Sequence, residues 1–145
     1  VRAAALHGGV RAGHDGVLTS ARAVAAKDAD PRVRLIALRS ALAKSSVADA
    51  ELLALALDRL KSDASPLVRE EAAVALAKAS TPEALAALKN AAADKDWAVA
   101  VCAIISLGKT TQEAALPMLV ALAREADWRL RGAAVVGLCH VTKKE

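Results

Sequence analysis

Residues 127–138 read Asp127-Trp128-Arg129-Leu130-Arg131-Gly132-Ala133-Ala134-Val135-Val136-Gly137-Leu138. Leu130 is followed at once by arginine, four positions later by alanine, and then by another apolar residue. The same order occurs at Val1-Arg2…Ala5-Leu6, Val33-Arg34…Ala37-Leu38 and Val68-Arg69…Ala72-Ala73, and in weaker form at Val99-Ala100…Ala103-Ile104. These anchors, at 1, 33, 68, 99 and 130, are 32, 35, 31 and 31 residues apart. Five copies in phase make the chain a repeat array, in which each unit is one supersecondary element.

Each anchor stands in the first turn of a predicted helix. Asp30-Pro31, Ser65-Pro66, Asp96-Trp97 and Asp127-Trp128 precede their anchors at one fixed offset. Asp and Ser accept hydrogen bonds from the orphan N–H groups of a first turn, and proline suits the first helical position. Helices are therefore expected over 31–44, 66–79, 97–109 and 128–142, with a truncated one at 1–7. Positions zero, four and eight from an anchor share a face, which makes Val68/Ala72/Leu76, Val99/Ala103/Leu107 and Leu130/Ala134/Leu138 a core stripe. Second helices are expected between the anchors. Thr81-Pro82-Glu83 opens one over 82–92, and the capping-box spacing Thr110-x-x-Glu113 opens another over 111–124. Apolar patterns place two more near 15–27 and 48–61. Pro117 falls inside the 111–124 segment, where it should bend the helix.

Composition agrees. Alanine fills 38 of 145 positions, 55% of the chain is apolar, and Phe and Tyr are absent. Such a chain lacks the β-branched and aromatic runs of a sandwich or barrel and has too much apolar content for disorder. No apolar run approaches the ~20 residues needed to span a bilayer. The net charge of +4 is spread evenly, +2 in residues 1–72 and +2 in 73–145, without the concentrated basic surface of a nucleic-acid or anionic-membrane binder. Cys102 and Cys139 have no metal-site spacing and are expected to be reduced and packed as small apolar residues. The chain opens at Val1 without methionine or a signal-peptide pattern, and we expect it to be a fragment or a processed product.

The stretch from Ala115-Leu116-Pro117-Met118-Leu119 through Asp127-Trp128-Arg129-Leu130-Arg131-Gly132-Ala133-Ala134 resembles a HEAT repeat. The short spacing resembles the HEAT-like units named after phycobiliprotein lyases. The resemblance covers about four and a half units, near 1–27, 31–61, 66–92, 97–124 and 128–145, as one domain within a larger polypeptide. It implies an all-α, right-handed α-solenoid whose repeats complete one another's cores, and a role in binding or scaffolding. Ala100 stands where arginine is expected, Ser65 where aspartate is, and Gly8, Gly9, Gly13 and Gly16 interrupt the opening connection. A tetratricopeptide array has a similar period, but its aromatic pattern is absent.

Two sets of residues are candidates for more than core packing. Five positions before each anchor stand Asp28, Asp63, Asp94 and Glu125; one position after stand Arg34, Arg69, Ala100 and Arg131. Stacking should bring these acids and guanidiniums together as a structural ladder at the turns, rather than as a cationic row for acidic partners. Trp97 and Trp128, equivalent in the repeat, are expected to shield junctions between units. The second set follows from the resemblance, in which the second helix of a unit lines a concave binding face. Six positions past the anchors come Arg39, Val74, Ile105 and Val136, and two positions past come Leu35, Glu70, Val101 and Gly132. The face turns apolar toward the C-terminal half, so Arg39, Val74, Val101, Ile105 and Val136 are the candidate protein-binding residues. Some of them would instead be core if the helical phase were shifted.

Enzyme signals are poor. His7, His14 and His140 form no H-x-x-x-H, and no G-x-S-x-G, P-loop or G-x-G-x-x-G is present. The His-Glu pairs of iron-binding HEAT-like hydroxylases do not occur either. Cys139-His140 are neighbours on a helix and point about 100° apart. The expected function is a non-catalytic interaction or scaffold module without cofactor, whose partner is another protein or the rest of the same polypeptide. The alternatives are a nucleic-acid-binding or repair module, which should show a basic strip with aromatics, and a lyase or enzyme-maturation subunit.

Overall fold

The computed structural model describes Gly8 and residues 16–44, 49–79, 81–110, 113–125 and 127–142. Within these, the regular structure is eight helices and a short 3₁₀ turn, without strands. They are α1 (Val17–Lys27), α2 (Pro31–Lys44), α3 (Ala50–Ser62), α4 (Pro66–Leu76), α5 (Pro82–Ala91), α6 (Trp97–Lys109), α7 (Leu116–Leu122, after the 3₁₀ turn Glu113–Ala115) and α8 (Trp128–Thr142). The anchor helices are α2, α4, α6 and α8. The truncated helix expected at 1–7 lies outside the described residues. The chain forms two compact units, residues 1–72 and 73–145.

The caps act where the side-chain chemistry places them. Asp30, Asp96 and Asp127 accept from the N–H groups of Arg32, Ala98 and Arg129 at 2.9, 3.0 and 2.9 Å. Asp49 accepts from Leu52 N–H at 3.1 Å to open α3, and Thr81 from Ala84 N–H at 3.2 Å to open α5. Gly16, at φ 80°, stands before α1 in the left-handed region, a conformation that costs glycine nothing.

Three expectations need correction. The α-helix between α6 and α8 starts at Leu116, so Pro117 occupies its first turn, where proline's missing N–H has no helical partner to lose, and it bends nothing. Thr110 does not open that helix. It is the C-cap of α6, and its hydroxyl donates to the Leu107 carbonyl at 2.7 Å. Helix α4 also ends three residues short of the expected 79, in a turn at Ala77–Ala79.

In the unit 1–72, α1 packs along α2, and both touch α3. Its core is built largely of alanine: Ala21, Ala25, Ala37, Ala41, Ala56 and Ala72, with Leu38, Leu52, Leu60 and Val68. Small side chains let helix axes approach more closely than leucine-on-leucine packing does. Arg22 adds an ion pair to Asp49 and another to Glu51 at 2.6 Å, fastening α1 to the start of α3.

In the unit 73–145, α6 packs along α8, with α5 against α6 and α7 against both α6 and α8. Leu85, Leu88, Val99, Ala103, Ile104, Leu107, Leu119 and Ala134 fill this core. The anchor stripe of positions zero, four and eight is buried at Val68/Ala72/Leu76 and Val99/Ala103/Leu107. In α8 only Ala134 of that stripe is buried, while Leu130 and Leu138 are partly exposed. The α6–α8 crossing is closest at two glycines. A Cβ added to Gly108 would overlap the backbone of Gly137, whereas one added to Gly137 would stand 3.0 Å from the movable Cδ2 of Leu119 and 3.2 Å from the Ile104 carbonyl oxygen.

Three alanine substitutions separate these effects. Gly108→Ala forces the helices apart and should lower unfolding stability by about 1–3 kcal/mol, the usual cost of overpacking. Gly137→Ala should cost less. Gly132→Ala, with open space around its new methyl, should gain ~0.5–1 kcal/mol from helix propensity. Urea denaturation of the three variants checks the order; a Gly108→Ala protein as stable as Gly132→Ala would contradict the close crossing.

Candidate interaction surface

The turns that lead into α2, α4 and α6 share one device. The acid five positions before the anchor folds back on its own chain. Asp28, Asp63 and Asp94 accept from the N–H groups of Asp30, Ser65 and Asp96 at 2.9, 2.9 and 2.8 Å. The arginine one position past the anchor then reaches the carbonyl of the residue six positions back. Arg34 donates to Asp28 O at 2.8 Å, Arg69 to Asp63 O at 2.8 Å, and Arg131 to Glu125 O at 2.9 Å. Within a unit, then, the guanidinium meets a backbone carbonyl rather than the acid's side chain, whose oxygen is already holding the turn.

The carboxylate of Asp63 also serves the preceding anchor helix. Arg34 of α2 grips it in two-pronged fashion, Nε to Oδ2 at 2.8 Å and Nη2 to Oδ1 at 2.6 Å, and Arg59 adds a contact at 3.3 Å. The Asp63 side chain is only 1% exposed. Burial alone would disfavour its ionisation, but the hydrogen bonds from Arg34 and from Ser65 N–H outweigh it and hold the carboxyl below its usual range. On α6 Ala100 stands in place of the arginine, so that helix has no guanidinium to send to Glu125, which is exposed. Stabilising charge contacts of this kind are structural, and none presents a free row of cations.

The candidate binding residues lie as follows. Arg39 is exposed but committed to Glu71, with Nε at 3.0 Å and Nη2 at 2.5 Å from one carboxylate oxygen. Val74 and Val136 are exposed, at 43% and 45%, and Val101 and Ile105 are partly exposed. None of these four is core. Val101 and Ile105 are one turn apart on α6, and α8, which carries Gly132 and Val136 at the matching positions, packs beside it. The unit 73–145 thus displays small and branched apolar groups at positions two and six of its anchor helices.

Other surface residues were not singled out by sequence reasoning. Leu67, Leu116, Val120 and Val135 are exposed. Leu116 and Val120 form an i, i+4 pair on α7, and their exposure is set by what α7 packs on rather than by its own periodicity. Trp97 is half covered by the Arg129 guanidinium, 5.5 Å from the ring centroid, as a cation–π pair. Asp127 clamps that guanidinium at 2.6 Å, and this hydrogen bond lowers its own pKa to about 2. Trp128 is 73% exposed and does not shield a junction. Cys139 is exposed as well, a correction to its expected packing, and neither cysteine forms a disulfide.

Among the described residues, no group of three His, Cys, Asp or Glu side chains is placed to hold a metal ion. No helix among them is long and apolar enough to cross a membrane.

Comparison with known proteins identifies the repeat. The family model for HEAT repeats matches residues 53–139. It does not single out the short phycobiliprotein-lyase type. No curated protein matches the chain. Among solved structures, human deoxyhypusine hydroxylase in complex with glycerol is similar, with a TM-score of 0.71 and 21% identity. The alignment covers 87% of this chain and 43% of the human enzyme, so the chain spans less than half the length of that protein. At this identity the likeness speaks for the fold, an all-α architecture of the α-solenoid class.

The Asp63 network generates a pH-dependent prediction. A carboxyl held below its unfolded value of about 3.9 contributes stability above that pH and loses it as the pH falls through the lower folded value. Asp63→Asn should lower stability by about 2–4 kcal/mol at pH 7. The difference between variant and wild type should shrink below about pH 4. Denaturant unfolding at pH 7 and pH 3 measures it; an equal difference at both would contradict the ionised network.

Proposed function

This chain belongs to the HEAT-repeat family, and on that premise we propose that it is a non-catalytic interaction module. Its unit 73–145 would hold another protein against an apolar face of its anchor helices. The observation that carries the reading is the exposure of Val74 and Val136, with partial exposure of Val101 and Ile105, at positions two and six of the repeat. A folded helix that keeps branched apolar groups at its surface in successive units offers area for burial at ~25 cal/mol per Å². Because packed helices already fix the side chains, little ordering entropy is lost on binding. The partner's matching surface is apolar at its centre, with a polar rim.

The charge pattern supports protein over nucleic acid. The guanidiniums of Arg34, Arg39, Arg69 and Arg131 are occupied by carbonyls or carboxylates of the chain itself, so these repeated arginines are not laid out as a row for phosphates. Binding should therefore vary weakly with salt, whereas a phosphate-contacting module would lose affinity steeply. The hydroxylase's activity is a property of that protein and lends no reaction to this chain.

Binding of a partner recovered with the wild-type chain tests the proposal. Val101→Glu and Ile105→Glu should each weaken it by roughly 2–4 kcal/mol, since a carboxylate would be desolvated without a counter-charge. Circular dichroism and urea unfolding establish that the variants are folded. Undiminished affinity in folded variants would remove the proposal.

A further inference from the structure

Position ten past an anchor lies one helical turn beyond position six, on the same side of a helix. In the unit 73–145 these two positions hold Val74 with Lys78, Ile105 with Lys109, and Val136 with His140. Each time a branched apolar residue is followed by a base. Lys78, in the turn that closes α4, and Lys109, which ends α6, are exposed, and His140 is partly exposed. Helix α2 departs from the order, with Arg39 at position six and Ala43 at position ten.

The openness of these positions does not come from standing at an end of the array. α6 has α5, α7 and α8 packed on it, and still Val101, Ile105 and Lys109 reach solvent. Val74, two anchor helices before Val136, is as open, at 43% against 45%. α6 is the extreme case. From Trp97 to Gly108 it carries no charged residue, and Ala98, Val101, Cys102 and Ile105 on its outer side are partly exposed. A surface helix ordinarily turns a polar face to water. A base in the last turn also complements the helix dipole, as Lys27 and Lys89 do on α1 and α5. That role does not require an apolar residue one turn earlier.

We infer that the proposed binding face takes an acidic amphipathic segment of another protein. The segment's apolar side chains would lie on Val101, Ile105 and Val136, and its carboxylates along the edge marked by Lys78, Lys109 and His140. The inference rests on the interaction-module reading and adds the partner's charge to it. Charge complementarity selects the occupant, since a basic edge would be repelled by the ammonium groups and a neutral one would gain nothing from them. An anionic bilayer is the poorer fit, because half-covered side chains such as Val101 and Ile105 are too shallow to insert among acyl chains. Two or three exposed ion pairs are few, so salt lowers affinity modestly, far less than for a phosphate-contacting module.

Three designed helical peptides with one leucine stripe, edged by Glu, Gln or Lys, test the inference. Their binding to the 145-residue chain is read by fluorescence anisotropy. The Glu-edged peptide should bind roughly tenfold tighter than the Gln-edged one, as two or three exposed ion pairs allow, and the Lys-edged one should bind weakest. Lys78→Gln combined with Lys109→Gln should erase this preference and leave the Gln-edged peptide's affinity unchanged. The corresponding pair of arginine substitutions should retain the preference. Ile105→Ser should weaken all three peptides alike, by roughly fivefold. Urea unfolding verifies that each variant is folded. Equal affinities for the three peptides overturn the inference, and if they still fall with Ile105→Ser the interaction module stands. Affinities indifferent to Ile105→Ser and to the lysine changes end both. A Glu preference that survives the double glutamine substitution overturns the inference, as does a chain that binds none of the peptides. Binding instead to vesicles of phosphatidylcholine and phosphatidylserine overturns it too.

Discussion

A single buried carboxylate, that of Asp63, joins the turn before α4 to helices α2 and α3. Its Oδ1 holds the Ser65 N–H and so shapes the turn between α3 and α4. The same carboxylate receives both prongs of Arg34 from α2. Its backbone N–H closes α3 on the Arg59 carbonyl, and its own carbonyl takes the guanidinium of Arg69 from α4. An ionised group in so dry a place is tolerable only when its oxygens are saturated by charged or backbone donors. Any shift of α2 relative to the turn would leave that charge exposed to a low dielectric, which fixes the helices in register as well as in contact.

Around such turns the helices close through small residues. Alanine at position four is buried in α2, α4, α6 and α8, as Ala37, Ala72, Ala103 and Ala134. The small residue at position seven reduces to glycine at Gly137, where α6 comes near enough that a methyl on Gly108 would collide with the backbone. Close approach increases dispersion contacts per residue and compensates for a core without Phe or Tyr. It also makes neighbouring helices mutually dependent, because a face shaped for a near backbone has no good packing against water.

Helix positions were readable because local chemistry encodes them. The spans 31–44, 97–109 and 128–142 follow from Asp30-Pro31, Asp96-Trp97 and Asp127-Trp128, whose side chains cap the helices in the structure. Thr110 misled because a hydroxyl can close one helix as well as open the next, and Pro117 because its helix begins later than the apolar pattern does. For the surface, a repeat offset placed Val74, Val101, Ile105 and Val136 outside the core without any structure. It could not reveal that Arg39 is engaged by Glu71, or that the acids spend their oxygens on turn N–H groups. Those pairings depend on distances between elements, to which a helical period is blind. The exposure of Val135 escaped for the same reason, since its counterparts carry equally apolar side chains and differ only in what covers them.

The link between Arg34 and Asp63 is the most direct place to probe this account, by a double-mutant cycle with Arg34→Met and Asp63→Asn and urea unfolding of all four proteins at pH 7. A bidentate pair that joins an anchor helix to the next turn should give a coupling energy of about 1.5–3 kcal/mol. Additive losses, with coupling below about 0.5 kcal/mol, would mean that the register is set by apolar packing alone.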